Sequence, residues 1–101
     1  MTKYAQYYQR MWDEHKDLLS SFQVAHDAYQ LDRRNQASKA EFDRIGKEAR
    51  DIMQGWDQRL CQQMERGHNG VFSAKVSEKF WSEVKKDFPL VDYVGVEVHF
   101  A

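Results

Sequence analysis

Apolar and aromatic side chains recur at alternating steps of four and three residues along the first part of the chain. The repeat consists of Tyr4, Tyr8, Met11, His15, Leu18, Phe22, Ala25 and Tyr29, and its flanks are widened by Tyr7, Trp12 and Leu19. This heptad-type spacing keeps one stripe of a helix turned toward a partner helix. With Thr2 as a cap and no Gly or Pro in between, it predicts one long helix over about residues 3–31.

A second long helix is predicted over about residues 39–66. The segment before it, residues 32–37, breaks the apolar pattern and is predicted to be a loop. Ser38 and Glu41 then have the spacing of a capping box, in which each side chain accepts a backbone N–H of the other residue. The apolar positions that follow are Phe42, Ile45, Ala49, Ile52, Met53, Trp56, Leu60 and Met64, and Gly67 and Gly70 are suited to end the helix.

Two glycines, Gly46 and Gly55, lie inside this predicted helix. Each costs about 1 kcal/mol relative to Ala in a helix interior. They are either tolerated surface positions or points where another helix or chain comes too close for a side chain.

A third, shorter helix is predicted over about residues 77–88, with Ser77 as its cap and Ser73 as the alternative start. Val76 before the cap and Trp81 after it have the spacing of a hydrophobic staple. Its apolar face consists of Phe80, Trp81, Val84 and Phe88, and Pro89 follows its end.

The last part of the chain, about residues 91–100, has a different pattern. Val94, Val96, Val98 and Phe100 alternate with other residues, and this period of two with β-branched side chains predicts a strand. Its pairing stays open among four arrangements. It pairs with residues 71–75, with the same segment of a second subunit, or with a partner protein's sheet edge, or it packs in extended form along the helices without a sheet.

These patterns predict a mainly α, single-domain fold over residues 1–101: a long antiparallel helical hairpin, a short third helix and a C-terminal extended or β segment. A chain of 101 residues corresponds to one domain. One short helix would leave flank positions of both long helices uncovered. We therefore predict a homodimer in which the hairpins associate into a bundle-like core.

Composition limits the classes of function. The chain has 15 Lys and Arg against 16 Asp and Glu, a formal charge of −1, so it lacks the basic excess that phosphate binding uses. No apolar run approaches the roughly 20 residues of a membrane span, and the polar N-terminus does not resemble a secretory signal. The single cysteine, Cys61, cannot form an intramolecular disulfide. These features predict a cytoplasmic protein without membrane association.

No motif points to catalysis. The sequence has no Gly-rich phosphate loop, Ser-centred elbow or zinc-type Cys/His spacing. Glu65 and His68 form one Glu-x-x-His pair, whereas bundle metal sites use two. His15 is expected to be an interior histidine, and His26 and His99 are expected at the surface. We predict no catalytic residue, no metal ligand and no cofactor.

The aromatic content of 14% is the compositional feature that points toward a function. Tyr and Trp are enriched in the cores of protein interfaces. The predicted interaction surface comprises Tyr4, Tyr7, Tyr8, Trp12, Trp81, Tyr93, Val96, Val98 and Phe100. Its N-terminal cluster is covered either by the third helix and the tail or by a second subunit.

The function predicted on this basis is a non-enzymatic interaction protein: an adaptor, a small chaperone or a regulatory subunit. An alternative is a nucleic-acid-associated protein that uses the basic residues of the 33–50 region, which include Arg33, Arg34, Lys39 and Arg44. A further alternative is a metal-binding helical bundle.

Overall fold

The computed structural model describes residues 2–65 and 71–97 of the chain. Its elements are four α-helices, α1 (Lys3–Glu14), α2 (Lys16–Leu31), α3 (Gln36–Glu65) and α4 (Val71–Asp87), followed by a 3-10 helix, Val91–Tyr93. The predicted mainly α class is confirmed. No β-strand occurs within these two described ranges.

The predicted first helix is broken at His15. Thr2 caps α1 as expected, since its Oγ1 accepts from the Ala5 N–H at 3.1 Å. His15 has φ −124° and ψ 33°, outside the helical region, and it separates α1 from α2. Its Nε2 accepts from the Trp56 indole N–H at 3.2 Å. The prediction of one continuous helix was wrong here because no Gly or Pro marks the break, and the contact with Trp56 is remote in sequence.

After the break at His15, one position of the predicted apolar repeat is displaced by one residue. Leu19 is fully buried at 0% exposure, whereas Leu18, the predicted member of the repeat, is only half-buried. The stripe therefore continues from His15 to Leu19 and Phe22. Leu19 lies in the core and not on its flank.

Asn35, and not Ser38, caps α3. Its Oδ1 accepts from the Ser38 N–H at 3.1 Å, the bond that an N-cap residue makes to the third residue of a helix. The helix therefore begins at Gln36, three residues before the predicted start, and the capping box predicted at Ser38 was wrong. The connection to α2 shortens to residues 32–35.

Two helix pairs enclose the core. Tyr29 of α2 packs on Phe42 of α3 with ring centroids 4.8 Å apart, while the earlier residue His15 contacts the later residue Trp56. The later residue of the first pair thus contacts the earlier residue of α3, and the reverse holds for the second pair. The segment from His15 to the end of α2 therefore runs antiparallel to α3. α1 packs on α4 instead, where Trp12 stacks on Phe88 at the end of α4 with centroids 5.8 Å apart. Each large side chain buried in such a core contributes about 1.5–3 kcal/mol.

α4 is longer than predicted, because it begins at Val71 and not at Ser77. Ser77 lies inside the helix, and its Oγ donates to Asp57 Oδ2 on α3 at 3.1 Å. The contacts of α4 with the aromatic residues of α1 come from its later part, through Lys79, Phe80 and Asp87.

The C-terminal segment, residues 88–97, folds back onto the helices. Val91–Tyr93 form a 3-10 helix where a strand was predicted, and Val91 and Val94 are buried. The backbone N–H of Leu90 donates to Nε2 of His26 at 3.1 Å. The strand prediction was wrong for residues 91–97, because burial recurs at Val91 and Val94, the step of a turn. Residues 98–100 of that prediction lie outside the described residues.

Gly46 is the point where the C-terminal segment meets α3. A Cβ atom placed there would lie 2.7 Å from Val94 Cγ2 and 2.9 Å from Phe22 Cε1. A Cβ atom at Gly55 would have no atom within 4 Å. The close-approach interpretation therefore holds for Gly46, and Gly55 is a tolerated open position.

Candidate interaction groove

Three of the predicted interaction residues, Tyr7, Tyr8 and Trp12, are covered by the protein's own helices. The Tyr8 hydroxyl donates to Asp87 Oδ2 at 2.9 Å and accepts from the Trp12 indole N–H at 2.8 Å. The Tyr7 hydroxyl donates to the Trp56 carbonyl at 2.7 Å. Burial raises the pKa of both Tyr7 and Tyr8, and the carboxylate of Asp87 adds to the rise at Tyr8. These three residues join α1 to α4 and α3, as one of the two sequence interpretations expected.

Tyr4 lies at the edge of the same packing. It is half-buried, and the ammonium groups of Lys3 and Lys79 lie over its ring at 5.4 and 5.3 Å from the centroid. Such exposed cation–π contacts contribute about 0.5–1 kcal/mol each. Tyr4 therefore belongs to the α1–α4 contact and not to a separate surface.

The predicted residues of the C-terminal segment lie on another part of the molecule. Tyr93 is 42% exposed and Val96 is 47% exposed. The guanidinium of Arg33 lies 5.9 Å from the centre of the Tyr93 ring. Val98 and Phe100 lie outside the described residues. The predicted set thus does not form one surface.

The basic residues of the alternative prediction are mostly engaged within the chain. Lys39 pairs with Asp43, and its Nζ also donates to the Tyr93 carbonyl at 3.3 Å. Arg44 pairs with Glu41, and their hydrogen bond lowers the pKa of the carboxyl and raises that of the guanidinium. These contacts do not assemble the free cationic stripe that nucleic-acid binding uses.

The histidines available for metal binding are engaged in protein contacts. His15 accepts from Trp56, as predicted for an interior histidine. His26, expected at the surface, is 0% exposed and bonds to Asp27 Oδ1 at 3.0 Å in addition to the Leu90 N–H. Within residues 2–65 and 71–97, no three His, Cys, Asp or Glu side chains come together as a metal site would require. The predicted Glu65/His68 pair is not tested, since His68 lies outside the described residues.

The surface beside α3 and α4 contains three neighbouring depressions, which we call together the α3–α4 groove. The basic end, about 410 Å³, is lined by Ala40, Asp43, Arg44, Lys47, Arg50, Asp51, Gln54, Val94 and Gly95. The central depression, about 590 Å³, is lined by Arg50, Gln54, Asp57, Gln58, Trp81 and Asp92. The outer depression, about 610 Å³, is lined by Ser77, Glu78, Trp81, Ser82 and Lys85. Arg50 and Gln54 join the first two, and Trp81 joins the last two.

Trp81 is the predicted interaction residue that the structure places in this groove. It is half-buried, and its ring meets Phe80 edge-on with centroids 5.8 Å apart. Unlike Trp12 and Trp56, its indole N–H has no hydrogen-bond acceptor in the described part of the chain. Trp81 therefore offers both an apolar face and an unused donor to the groove.

Arg50 belongs to the basic 33–50 region of the nucleic-acid alternative, but no sequence pattern singled it out. Its Nε is buried and has no hydrogen-bond partner among residues 2–65 and 71–97. A buried donor without an acceptor costs about 1–3 kcal/mol, and more when it is charged. Its position on α3, three residues after Lys47 and six after Arg44, was visible in the sequence. The lack of an acceptor was not, because it depends on how the C-terminal segment packs.

The carboxylates of the groove are partly neutralised. Asp43 pairs with Lys39 and accepts from the Gly95 N–H at 2.9 Å, which the positive φ of Gly95, 75°, turns toward it. Asp92 pairs with Lys85 at 3.0 Å. Asp57 accepts from Ser77.

Two cations of the basic end have no such partner. Neither Lys47 nor Arg50 forms an ion pair in the described part of the chain. Of the charges lining the basic end, only Asp51 is an unpaired anion. The basic end therefore keeps one more free cation than free anion.

None of the helices within the described ranges combines the length and the apolar content of a membrane-spanning segment. Comparisons with protein-family models, with curated proteins and with solved structures find no match to this chain.

Proposed function

We propose that this protein is a non-enzymatic interaction module whose binding surface is the α3–α4 groove. The observation that carries the proposal is that Arg50 lines both the basic end and the central depression, and Trp81 both the central and the outer depression. Arg and Trp are the residue types most enriched among the side chains that dominate binding energy. Both keep donors without an acceptor in the described part of the chain. A partner that fills the groove supplies acceptors and covers the Trp81 ring.

The role as adaptor, small chaperone or regulatory subunit remains part of this proposal, as does a cytoplasmic location. The groove replaces most of the surface expected from the sequence, because Tyr7, Tyr8 and Trp12 are used in packing. Trp81 is the residue common to both.

A peptide-display selection with the whole chain tests the proposal. The enriched peptide is synthesised, and its affinity is measured for the wild type, Trp81→Ala and Tyr93→Ala. We expect Trp81→Ala to weaken binding at least about tenfold, as a central aromatic residue does. Tyr93 is the matched control, since it is an exposed aromatic outside the groove lining, and its variant should bind within about twofold of the wild type. Failure to enrich any peptide, or equal affinity of the wild type and Trp81→Ala, contradicts the proposal.

The homodimer stays a prediction. It was predicted because one short helix would leave flank positions of both long helices uncovered. α4 and the C-terminal segment pack on part of these flanks, so we propose that self-association uses the outer face of α2. Val24 and Leu31 lie there 72% and 89% exposed. Sedimentation equilibrium of the wild type and of the Val24→Asp, Leu31→Asp double variant tests this: a dimer mass lost in the variant supports it, and a monomer mass of the wild type contradicts it.

A further inference from the structure

The basic end of the groove has the parts of a carboxylate site. Arg50 carries a donor without an acceptor, and Lys47 lies one helical turn before it without an ion pair. An Arg side chain presents its Nε and a terminal nitrogen as a fork that matches the two oxygens of a carboxylate. An ammonium group at Lys47 adds attraction without imposing a direction.

Apolar surface adjoins these cations. Ala40 and Val94 line the same depression as Arg50, on the α3 side and the C-terminal side. Ala40 is exposed, and only the accessible edge of Val94, which is 7% exposed, adds to this apolar surface. A ligand that places a carboxylate at Arg50 therefore has room for an aliphatic group beside it. A free inorganic anion would leave that apolar surface uncovered.

We propose that the basic end of the α3–α4 groove binds a partner peptide through an Asp or Glu side chain that follows an aliphatic residue, with Arg50 as the anchor of the carboxylate. This rests on the proposed function and names the chemistry of its partner. The carboxylate accepts from the Arg50 fork and supplies the acceptor that Nε lacks. Because Nε is buried, this contact requires the guanidinium to turn toward the groove by rotation about the bonds of its own side chain. The aliphatic residue packs on Ala40 and on the accessible edge of Val94.

The competing charges favour this assignment. Asp43 already pairs with Lys39 and accepts a hydrogen bond from Gly95, so it does not form an ion pair with Arg50. Arg44 pairs with Glu41, which leaves Lys47 and Arg50 as the free cations against Asp51. Because the attraction is partly electrostatic, added salt weakens it.

Nuclear magnetic resonance of the whole isotope-labelled chain tests the proposal with two defined probes, acetyl-Leu-Asp-amide and acetyl-Leu-Asn-amide. The two peptides have the same shape and differ in the carboxylate. The titration extends to about 10 mM, at which a ligand with a Kd of about 1 mM is mostly bound. We expect the Asp peptide to shift the Arg50 side-chain N–H and the amides of Val94 and Gly95, and the Asn peptide to shift them much less.

Three variants complete the test. Arg50→Gln should abolish the response to the Asp peptide, and Arg50→Lys should reduce it, since charge remains but the fork is lost. Arg10→Gln is the matched control, because Arg10 is exposed on α1 and lies outside the groove lining. It should respond as the wild type does. If Arg50→Gln does not fold, the reduced response expected of Arg50→Lys tests whether the Arg50 fork holds the carboxylate.

The outcomes separate this inference from the proposed function. Equal shifts by both peptides overturn the carboxylate assignment and leave the groove as a binding surface. Absence of shifts with both peptides overturns the assignment, while the display selection still decides the proposed function. An unchanged response in Arg50→Gln also overturns it.

Discussion

At the scale of single residues, Gly46 and Gly55 lie in the same helix but differ in the space around them. Both gain about 1 kcal/mol of helix propensity on replacement by Ala. At Gly46 the new Cβ would stand 2.7 Å from Val94, and overpacking of this kind costs about 1–3 kcal/mol. Gly46→Ala should therefore lower the free energy of unfolding by up to about 2 kcal/mol once the gain in propensity is subtracted, and Gly55→Ala should raise it by up to about 1 kcal/mol. Urea denaturation measures both.

The two glycine variants serve as controls for each other. The double variant Gly46→Ala, Val94→Ala should lose less stability than the sum of the two single variants, because Val94→Ala removes the methyl groups that the new Cβ meets. Equal stabilisation by Gly46→Ala and Gly55→Ala would show that the C-terminal segment does not dock at Gly46.

Tyr8 couples stability to alkaline pH. Its pKa is raised above the ordinary value of 10.0 by burial and by Asp87. A raised folded-state pKa means that the stabilisation is present below about pH 10 and is lost as the pH rises above it. The wild type should therefore lose more stability than Tyr8→Phe between about pH 9 and 11. Denaturation curves across this range, with tyrosinate absorbance as a second signal, measure the difference.

The same variant has an expected cost at neutral pH. Tyr8→Phe leaves the Trp12 N–H without its acceptor and Asp87 without its donor, a loss of about 1–3 kcal/mol. Tyr93→Phe is the control, because Tyr93 is exposed and should keep the alkaline slope of the wild type. Parallel slopes for the wild type and Tyr8→Phe would mean that Tyr8 is not the group that titrates.

At the scale of elements, the break at His15 decides which leucine lies in the core. Leu19→Ala should cost about 2–5 kcal/mol through the cavity that it leaves, since Leu19 is fully buried. Leu18→Ala removes a half-buried side chain and should cost about half as much or less. A continuous first helix with the repeat read from the sequence predicts the reverse order. Chemical denaturation of the two variants therefore tells the two registers apart.

The elements show what sequence patterns can and cannot predict here. Spacing identified the long helices and most of their buried faces, because Phe22, Tyr29 and Phe42 repeat with the helical period. It missed the break at His15, whose contact with Trp56 lies 41 residues away. It also predicted a strand from the valines at 94–98. A short apolar run is equally compatible with a turn. Because Gly46 has no side chain, Val94 can pack closely on α3 as part of that turn.

The candidate groove was predictable only in part, because its residues also come together from parts of the chain that are remote in sequence. Trp81 was identified as a large aromatic on the apolar face of a short predicted helix. Arg50 was not, because a charged residue on a polar helix face carries no periodic signal. Its buried Nε follows from the arrangement of α3 and the C-terminal segment, which are joined only through the tertiary structure.

At the scale of the whole molecule, Phe88 connects nearly every part of the core. It follows α4, is fully buried, and contacts Trp12 of α1 and both Phe22 and His26 of α2 with ring centroids 4.8–5.8 Å apart. The next residues lead into the C-terminal segment, which His26 holds by the Leu90 N–H. Three helices and the C-terminal segment therefore depend on one side chain, and the chain should unfold as a single cooperative unit.

Phe88→Ala tests this cooperativity. It should cost about 3–5 kcal/mol and shift the loss of helical circular dichroism and the change in tryptophan fluorescence to the same lower urea concentration. Lys86→Ala, two residues earlier with its side chain 68% exposed, should change stability by no more than about 0.5 kcal/mol. Two separated transitions in Phe88→Ala would show that α1 with α4 and α2 with α3 are independent units. Coincident transitions mean that the chain unfolds as one unit. A ligand in the α3–α4 groove, which includes residues of the C-terminal segment, then stabilises the whole chain, and its binding can be followed by the shift of the unfolding midpoint.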